Sequence, residues 1–396
     1  MSERSGWGDE CVAVFSGGGT GGHLYPALAL ADALAARRPD LRPYFVGAER
    51  GIEARVLPAQ GREHLLLPVE GLRRGGGLSA LRENVAVGLR LLHSLSCLAA
   101  IFHSLRPRLV VVTGGYAGGP AGLMASLMGL RLVLQEQNSV PGLTTRALSV
   151  FAREVHLAFP EAADRLPRPA RGKVRITGNP VRPPSTVARE AAARTFGLDP
   201  ARPVVLVVGG SQGSLALNSV VLEAVAEAVG LGADPRMQLL WSTGPTHLAS
   251  VRSELEALGA PSWVSPLGYI ERMAEALSLA DLAISRAGAM ATSEFLARGL
   301  PAILVPLPTA AADHQRANAA ALAEAGAAVL LEEELLEGPE LWAVLDELLT
   351  APNRLASMAA AARQRGRPDA ASEIAASLDA LLPLPVRGSG AAQRAP

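Results

Sequence analysis

Short, mostly β-branched apolar runs alternate with stretches of helical periodicity along this chain, and that alternation predicts parallel sheets covered by helices on both faces. A first series of strand-like runs falls at 12–15, 44–46, 65–67, 109–113 and 132–134, each followed by a turn bearing Gly or Pro and mostly by a helical stretch. A second series restarts at 204–208 and continues at 239–242, 263–264, 282–285 and 302–305. Each series suffices for one doubly wound α/β domain. Between them GNPVRPPSTVAR, residues 178–189, carries prolines that block helix and central strand alike, which marks a hinge. Past residue 384 no periodic apolar face remains, and the tail 385–396 is expected to be disordered.

The length of 396 residues leaves room for two or three domains with real cores. With 49% hydrophobic and 19% charged residues, general disorder is excluded. The 37 basic and 37 acidic residues balance, which argues against a nucleic-acid coat protein. Cys11 and Cys97 make neither a disulfide framework nor a zinc-site spacing, so a reducing compartment is expected. The N-terminus lacks the basic start and apolar stretch of a signal peptide. The uncharged run 109–130 has the length of a membrane span, but its glycines and proline read instead as strand, glycine loop and helix.

Three glycine loops carry the candidate chemistry. The first, SGGGTGGH at 16–23, follows the first strand and opens a helix, so its bare backbone amides and the helix N-terminus together favour an anion, a phosphate or diphosphate. Its spacing is neither the dinucleotide pattern with an acid about twenty residues on nor a Walker loop, which would need a Gly-Lys-Ser/Thr that Lys173, the chain's single lysine, cannot supply. TGGYAGGPAG at 113–122 and VVGGSQGSLALN at 207–218 repeat the arrangement. Three such loops split over two domains imply a cleft for ligands with several phosphates.

Around these loops, each polar residue has a structural and a chemical reading. His23 at the exit of the first loop either packs at a helix start or takes a proton from an attacking hydroxyl. Glu136, Gln137 and Asn138 follow a strand and either cap the next helix or hydrogen-bond sugar hydroxyls. Glu294, one turn into a helix after Gly288, answers the helix dipole or accepts from a ribose diol. Asp313, His314, Gln315 and Asn318 precede an alanine-rich helix, and Gln315 either reads a sugar or is a solvated helix start.

GGGTGGHLYPALALA, GGYAGGP, EQNSVPGLTTRALS, TGNPVR, GGSQGSLALN, SEFLARGLPAILVPLP and DHQRANA, in this order over about residues 11–380, resemble the MurG family. The resemblance implies an α/β fold of GT-B architecture, two Rossmann-like doubly wound parallel-sheet domains facing across a cleft. It places residues 1–181 with 366–384 in an acceptor and membrane-side domain, and 182–365 in a UDP-GlcNAc-binding domain. It implies inverting transfer of N-acetylglucosamine from UDP-GlcNAc to the C4 hydroxyl of lipid I, giving β-1,4-linked lipid II for peptidoglycan. Another UDP-sugar glycosyltransferase, a UDP-sugar epimerase and a non-catalytic cell-wall scaffold are the alternatives.

Carried over by residue, the resemblance makes His23 the candidate general base. Glu294 matches the ribose acid, Ser211 and Gln212 the diphosphate loop, Ile270 the backbone that meets uracil, and Arg182 a group near the base. Ala289 and Met290 match the loop beside the donor sugar, Gln315 and Asn138 side chains that contact it, and Thr20, Gly21 and Gly22 a helix start that reaches the donor. Gly18, Gly19, Thr20, His23, Gly115, Tyr116 and Glu136 fall on the acceptor side. Gly118 stands where the family often has Ser or Thr, Gln135 where it often has His, and Ser285 and Ala287 replace the commoner Cys and Ser around Arg286.

No Asp-x-Asp spacing lies near the donor motifs, so neither an essential metal nor another cofactor is expected. The acceptor is a polyprenyl lipid, and the segment 71–102 combines Arg73, Arg74, Arg82 and Arg90 with Leu78, Leu81, Val85 and Leu89. Peripheral docking on the cytoplasmic face of the bacterial membrane is expected through Arg73, Arg74, Leu78, Leu81 and Arg82, with other cell-wall proteins as further partners.

Overall fold

The computed structural model describes residues 11–70, 78–184, 187–232 and 236–384, with the side chains of 78–87 left aside. Seven strands form one parallel sheet: β1 (Cys11–Ser16), β2 (Leu41–Ala48), β3 (His64–Leu67), β4 (Leu109–Val112), β5 (Leu132–Glu136), β6 (Glu154–Leu157) and β7 (Val174–Ile176). Six more form a second: β8 (Val204–Val208), β9 (Gln238–Ser242), β10 (Val264–Leu267), β11 (Leu282–Ser285), β12 (Ala302–Leu304) and β13 (Ala328–Leu330). Their orders, β3-β2-β1-β4-β5-β6-β7 and β10-β9-β8-β11-β12-β13, reverse direction between β1 and β4 and between β8 and β11. Those are the topological switch points at which such sheets bind ligands.

Central strands are apolar on both sides because helices cover both faces. In β1, Val12 and Val14 enter one core and Cys11, Ala13 and Phe15 the opposite one. In β8, Val204, Leu206 and Val208 divide in the same way from Val205 and Val207. Strands β6, β7 and β13 lie outside the predicted runs. The 109–130 run resolves into β4 and the helix Gly115–Leu127.

The chain crosses between the sheets twice. After the helix Pro352–Arg365, it turns at Gly366 and the last described helix, Ala370–Ala380, packs on the first, Gly21–Arg37. Ile374, Ala375, Leu378 and Leu382 close the same core as Leu24, Leu30 and Leu34. Arg38, nearly buried, fastens this return with hydrogen bonds to both oxygens of Asp40 (2.8 and 2.7 Å), to Asp379 (3.0 Å) and to the Pro383 carbonyl (3.1 Å). The Arg38 hydrogen bonds hold the Asp40 carboxyl below its ordinary pKa. The two crossings touch at Gly178, whose φ of +87° and missing Cβ admit Arg367; a Cβ there would lie 2.5 Å from the Arg367 Cβ.

Candidate functional site

At the first switch point the loops after β1 and β4 interlock, and their glycines are explained by mutual approach. A Cβ on Gly17 would lie 1.9 Å from Thr113 Oγ1, one on Gly19 2.4 Å from the Tyr116 ring, and one on Gly115 2.2 Å from the Gly18 carbonyl oxygen. Gly18 is buried over the Glu53 carboxylate, 2.1 Å from where its Cβ would be. So the Cβ positions of Gly18 and Gly19, both expected on the acceptor side, are taken by the Glu53 carboxylate and the Tyr116 ring. Thr20, Gly21 and Gly22 stay on the open side: Thr20 caps the helix start through its backbone alone, and the first N–H groups of the helix have no partner within it. Those are the amides an anion can reach. Gly118 also points inward, with a Cβ position 2.8 Å from Val112 Cγ1, so a hydroxyl there would meet the sheet.

His23 is half-buried beneath this pair of loops. Thr113 Oγ1 donates to the His23 carbonyl at 2.7 Å, and His23 Nδ1 lies 3.0 Å from the Thr113 carbonyl and 2.9 Å from Gln137 Oε1. Of the two readings of Glu136, the structure shows the one that holds the start of the next helix. Glu136 is 2% exposed, and its two oxygens accept from the Asn138 and Gly142 backbone N–H groups at 3.1 and 3.0 Å, which closes the loop 136–142. Burial pushes the Tyr116 phenol up in pKa, aided by the charges of Glu53 and Glu70.

At the second switch point, Ser211 and Gln212 are exposed in the loop after β8. Gly210, at φ +100°, has open space where a Cβ would be. Ser214 accepts from the Leu217 N–H and caps the next helix, and it also receives a hydrogen bond from Arg286 at 2.6 Å. Arg286 follows β11, is mostly buried, and pairs with Glu333. It thus ties two loops together and sets a cation beside the helix N-terminus. Ala289 and Met290 begin the helix Ala289–Arg298, with Gly288 open in front of them. Glu294 lies on that helix; burial raises its pKa, while Arg182 and Arg298 pull it down. Arg182 is exposed, and the Ile270 side chain is buried in the core, which leaves its backbone for any ligand. Gln315 uses Oε1 to hold the Leu307 N–H at 3.0 Å and keeps its NH2 uncommitted among the described residues.

The two halves meet through asparagines. Asn318, fully buried, accepts from the Ser139 N–H at 2.8 Å and donates to Asn138 Oδ1 at 3.2 Å and the Ala287 carbonyl at 3.2 Å. Asn179 donates to the carbonyls of Gln137 and Ala289 and to Ser293 Oγ. Sequence reasoning did not select Glu53, Asn179, Ser293 or Arg286 as site residues, although Asn179, Ser293 and Arg286 lay in stretches already singled out. Arg73 and Arg74 lie outside the described residues. Leu78, Leu81 and Arg82 fall on the backbone of the helix Leu78–Leu105, with side chains outside the description. Further along it, Leu98 and Phe102 are buried while Leu89 and Leu92 are 64% and 62% exposed. Its stretch Gly88–Leu105, with mean hydropathy 1.2, has the length and composition of a membrane span. Burial of Leu98 and Phe102 in the sheet's core fits a packed helix with one bare face.

Residues 13–157 match the glycosyltransferase family 28 N-terminal domain, and residues 204–374 match the glycosyltransferase family 28 C-terminal domain. The chain belongs to the MurG family of these glycosyltransferases. A Chlorobium limicola protein named UDP-N-acetylglucosamine--N-acetylmuramyl-(pentapeptide) pyrophosphoryl-undecaprenol N-acetylglucosamine transferase is 40% identical over 365 residues, 91% of this chain and 97% of that protein. A Moorella thermoacetica protein of the same name is 41% identical over 366 residues, 91% of this chain and 96% of its own length. Among solved structures, Acinetobacter baumannii MurG superposes with a TM-score of 0.75 at 28% identity, covering 94% of this chain and 99% of that one. The two facing sheets are therefore the GT-B architecture of the MurG family.

Proposed function

We propose that this chain transfers N-acetylglucosamine from UDP-N-acetylglucosamine to the muramoyl C4 hydroxyl of lipid I, with inversion, to give β-1,4-linked lipid II for peptidoglycan. The observation that carries the reading is the pairing of two loop systems at facing switch points, one with His23 and open helix amides, the other with the Ser211 loop, Arg286 and Glu294. The curated relatives' shared name supplies the substrates.

In this reading the segment 182–365 holds the donor, and 1–181 with 366–384 the acceptor. The acceptor hydroxyl loses its proton to His23 as it attacks the anomeric carbon, and UDP departs as an anion. Helix N-termini at Leu215 and Ala289, with Arg286 behind them, stabilise the negative charge that develops on the diphosphate. Glu294 binds the ribose diol, Gln315 and Asn138 the sugar, and the Ile270 backbone with Arg182 the uracil end. In this reading the reaction needs no essential metal or other cofactor, so activity should withstand EDTA. The enzyme works on the inner leaflet of the membrane as a peripheral protein, because its acceptor carries a polyprenyl chain.

Purified protein should release UDP from UDP-N-acetylglucosamine only when a lipid I analogue is present. Release without acceptor, or conversion of the sugar nucleotide itself, would point to an epimerase instead.

A further inference from the structure

The side-chain amides of Gln137, Gln135 and Asn179 run head to tail from His23 to the helix that bears Glu294. The orientation of each is fixed by what surrounds it. Gln137 Nε2 faces only acceptors: the Thr113 carbonyl at 2.8 Å, the Gln135 carbonyl at 3.1 Å, and Gln135 Oε1. A flipped amide would put an oxygen against these three oxygens, so Nε2 must be where it stands and Oε1 must face His23. Gln135 Nε2 then donates to Asn179 Oδ1 at 2.9 Å, and Asn179 Nδ2 donates to the Ala289 carbonyl at 3.2 Å and Ser293 Oγ at 2.9 Å. All three amides are buried, and each polarises the next.

This chain of donors decides the state of His23. Both neighbours of Nδ1, Gln137 Oε1 and the Thr113 carbonyl, can only accept, so Nδ1 carries the proton of the neutral ring. Nε2 is then the nitrogen with a lone pair, and it has no protein hydrogen-bond partner among the described residues. We propose that Gln137, its amide oriented by Gln135 and Asn179, is a positioning residue that holds His23 as the Nδ1–H tautomer and so presents Nε2 as the base. The inference rests on the reading of His23 as the general base for its consequence in catalysis, but its content, the tautomer, stands apart from that reading. Gln135 supplies an oxygen to one side and an NH2 to the other, as a head-to-tail chain requires.

Two-bond 15N–1H spectra of histidine-labelled protein, with the His23 signal assigned by its loss in His23→Ala, read the tautomer directly. Wild type should show Nδ1 protonated and Nε2 bare; the opposite pattern in wild type overturns the proposal without any variant. Gln137→Met should mix the tautomers and lower kcat about 10- to 100-fold, with affinity for UDP unchanged. An unchanged His23 pattern in folded Gln137→Met means the Thr113 carbonyl suffices, which overturns the role of Gln137. A changed pattern with unchanged kcat upholds the positioning and instead removes His23 as the base. Should Gln137→Met not fold, Gln135→Met, which deletes the oxygen facing Gln137 Nε2, carries the same expectation at smaller amplitude.

Discussion

Gly19 donates its backbone N–H to both carboxylate oxygens of Glu53, each at 3.0 Å, and Glu53 Oε1 also accepts from the Ala48 N–H at 2.9 Å. A residue on a different helix thus supplies from within the molecule the anion that this amide of the glycine loop binds. Glu53 is wholly buried, in the first turn of its helix, where the dipole favours a negative charge. Gly18, Gly47 and Gly51 surround it, and a Cβ on any of them would come within 2.4 Å of its side chain.

Glu53→Gln should therefore destabilise the protein by about 1 to 3 kcal/mol, because an NH2 would face the Gly19 N–H, donor against donor. Urea denaturation reads the loss. A midpoint equal to that of wild type would show that the loop holds its shape without the carboxylate.

Glu294→Ala should weaken UDP binding by about 1 to 3 kcal/mol, the scale of a lost hydrogen-bond partner of a charged group. Titration calorimetry checks it, and unchanged affinity in a folded variant would leave Glu294 only its place on the helix. The same residue gives a pH prediction. Burial raises its pKa, so the folded protein holds this proton more tightly than the unfolded chain does. The resulting stability is present below the unfolded pKa and is lost as pH rises through the folded one. Glu294→Gln should accordingly make the ligand-free protein more stable than wild type at about pH 8 but not at about pH 4, where the wild-type carboxyl is largely protonated in both states. Melting curves at the two pH values, without UDP, decide it.

His23→Ala should lower kcat by roughly 10² to 10⁴ while leaving UDP affinity nearly intact. A kcat within a few-fold of wild type would move the search for the base elsewhere in the cleft.

Changing Arg73, Arg74 and Arg82 together to Glu should reduce co-sedimentation with anionic liposomes and leave UDP binding as it is. Replacing the exposed Leu89 and Leu92 with Ser should act in the same direction. Both variants sedimenting like wild type at low salt would exclude this helix as the docking face.

The central strands were legible because burial on both faces writes them as unbroken apolar runs. Strand β6 was not, since its EVHL sequence places Glu154 and His156 in a sheet. Their tertiary partners make that tolerable: Arg175 and His156 bond the two Glu154 oxygens at 2.8 and 3.1 Å, and burial lowers the His156 pKa. Strand β13 is three residues within an alanine-rich stretch that reads as helix. At the site, the glycine loops announced where backbone comes close, but periodicity carries no record of what it comes close to. Glu53 lies 34 residues from Gly19 and Asn318 lies 179 from Ser139, so only the fold brings each pair together. Glu136 shows the reverse case: its partners, Asn138 and Gly142, are so near in sequence that the carboxylate closes its own loop.

The return of the last helix to the first sets the order in which this protein can be made. Until Ile374, Leu378 and Leu382 leave the ribosome, the first domain has its sheet but an unfinished core over the helix Gly21–Arg37, and Arg38 has no Asp379 to bind. The half synthesised first is thus completed last. A chain truncated near residue 360 would expose that apolar face to proteases and chaperones although it contains every described strand of both sheets.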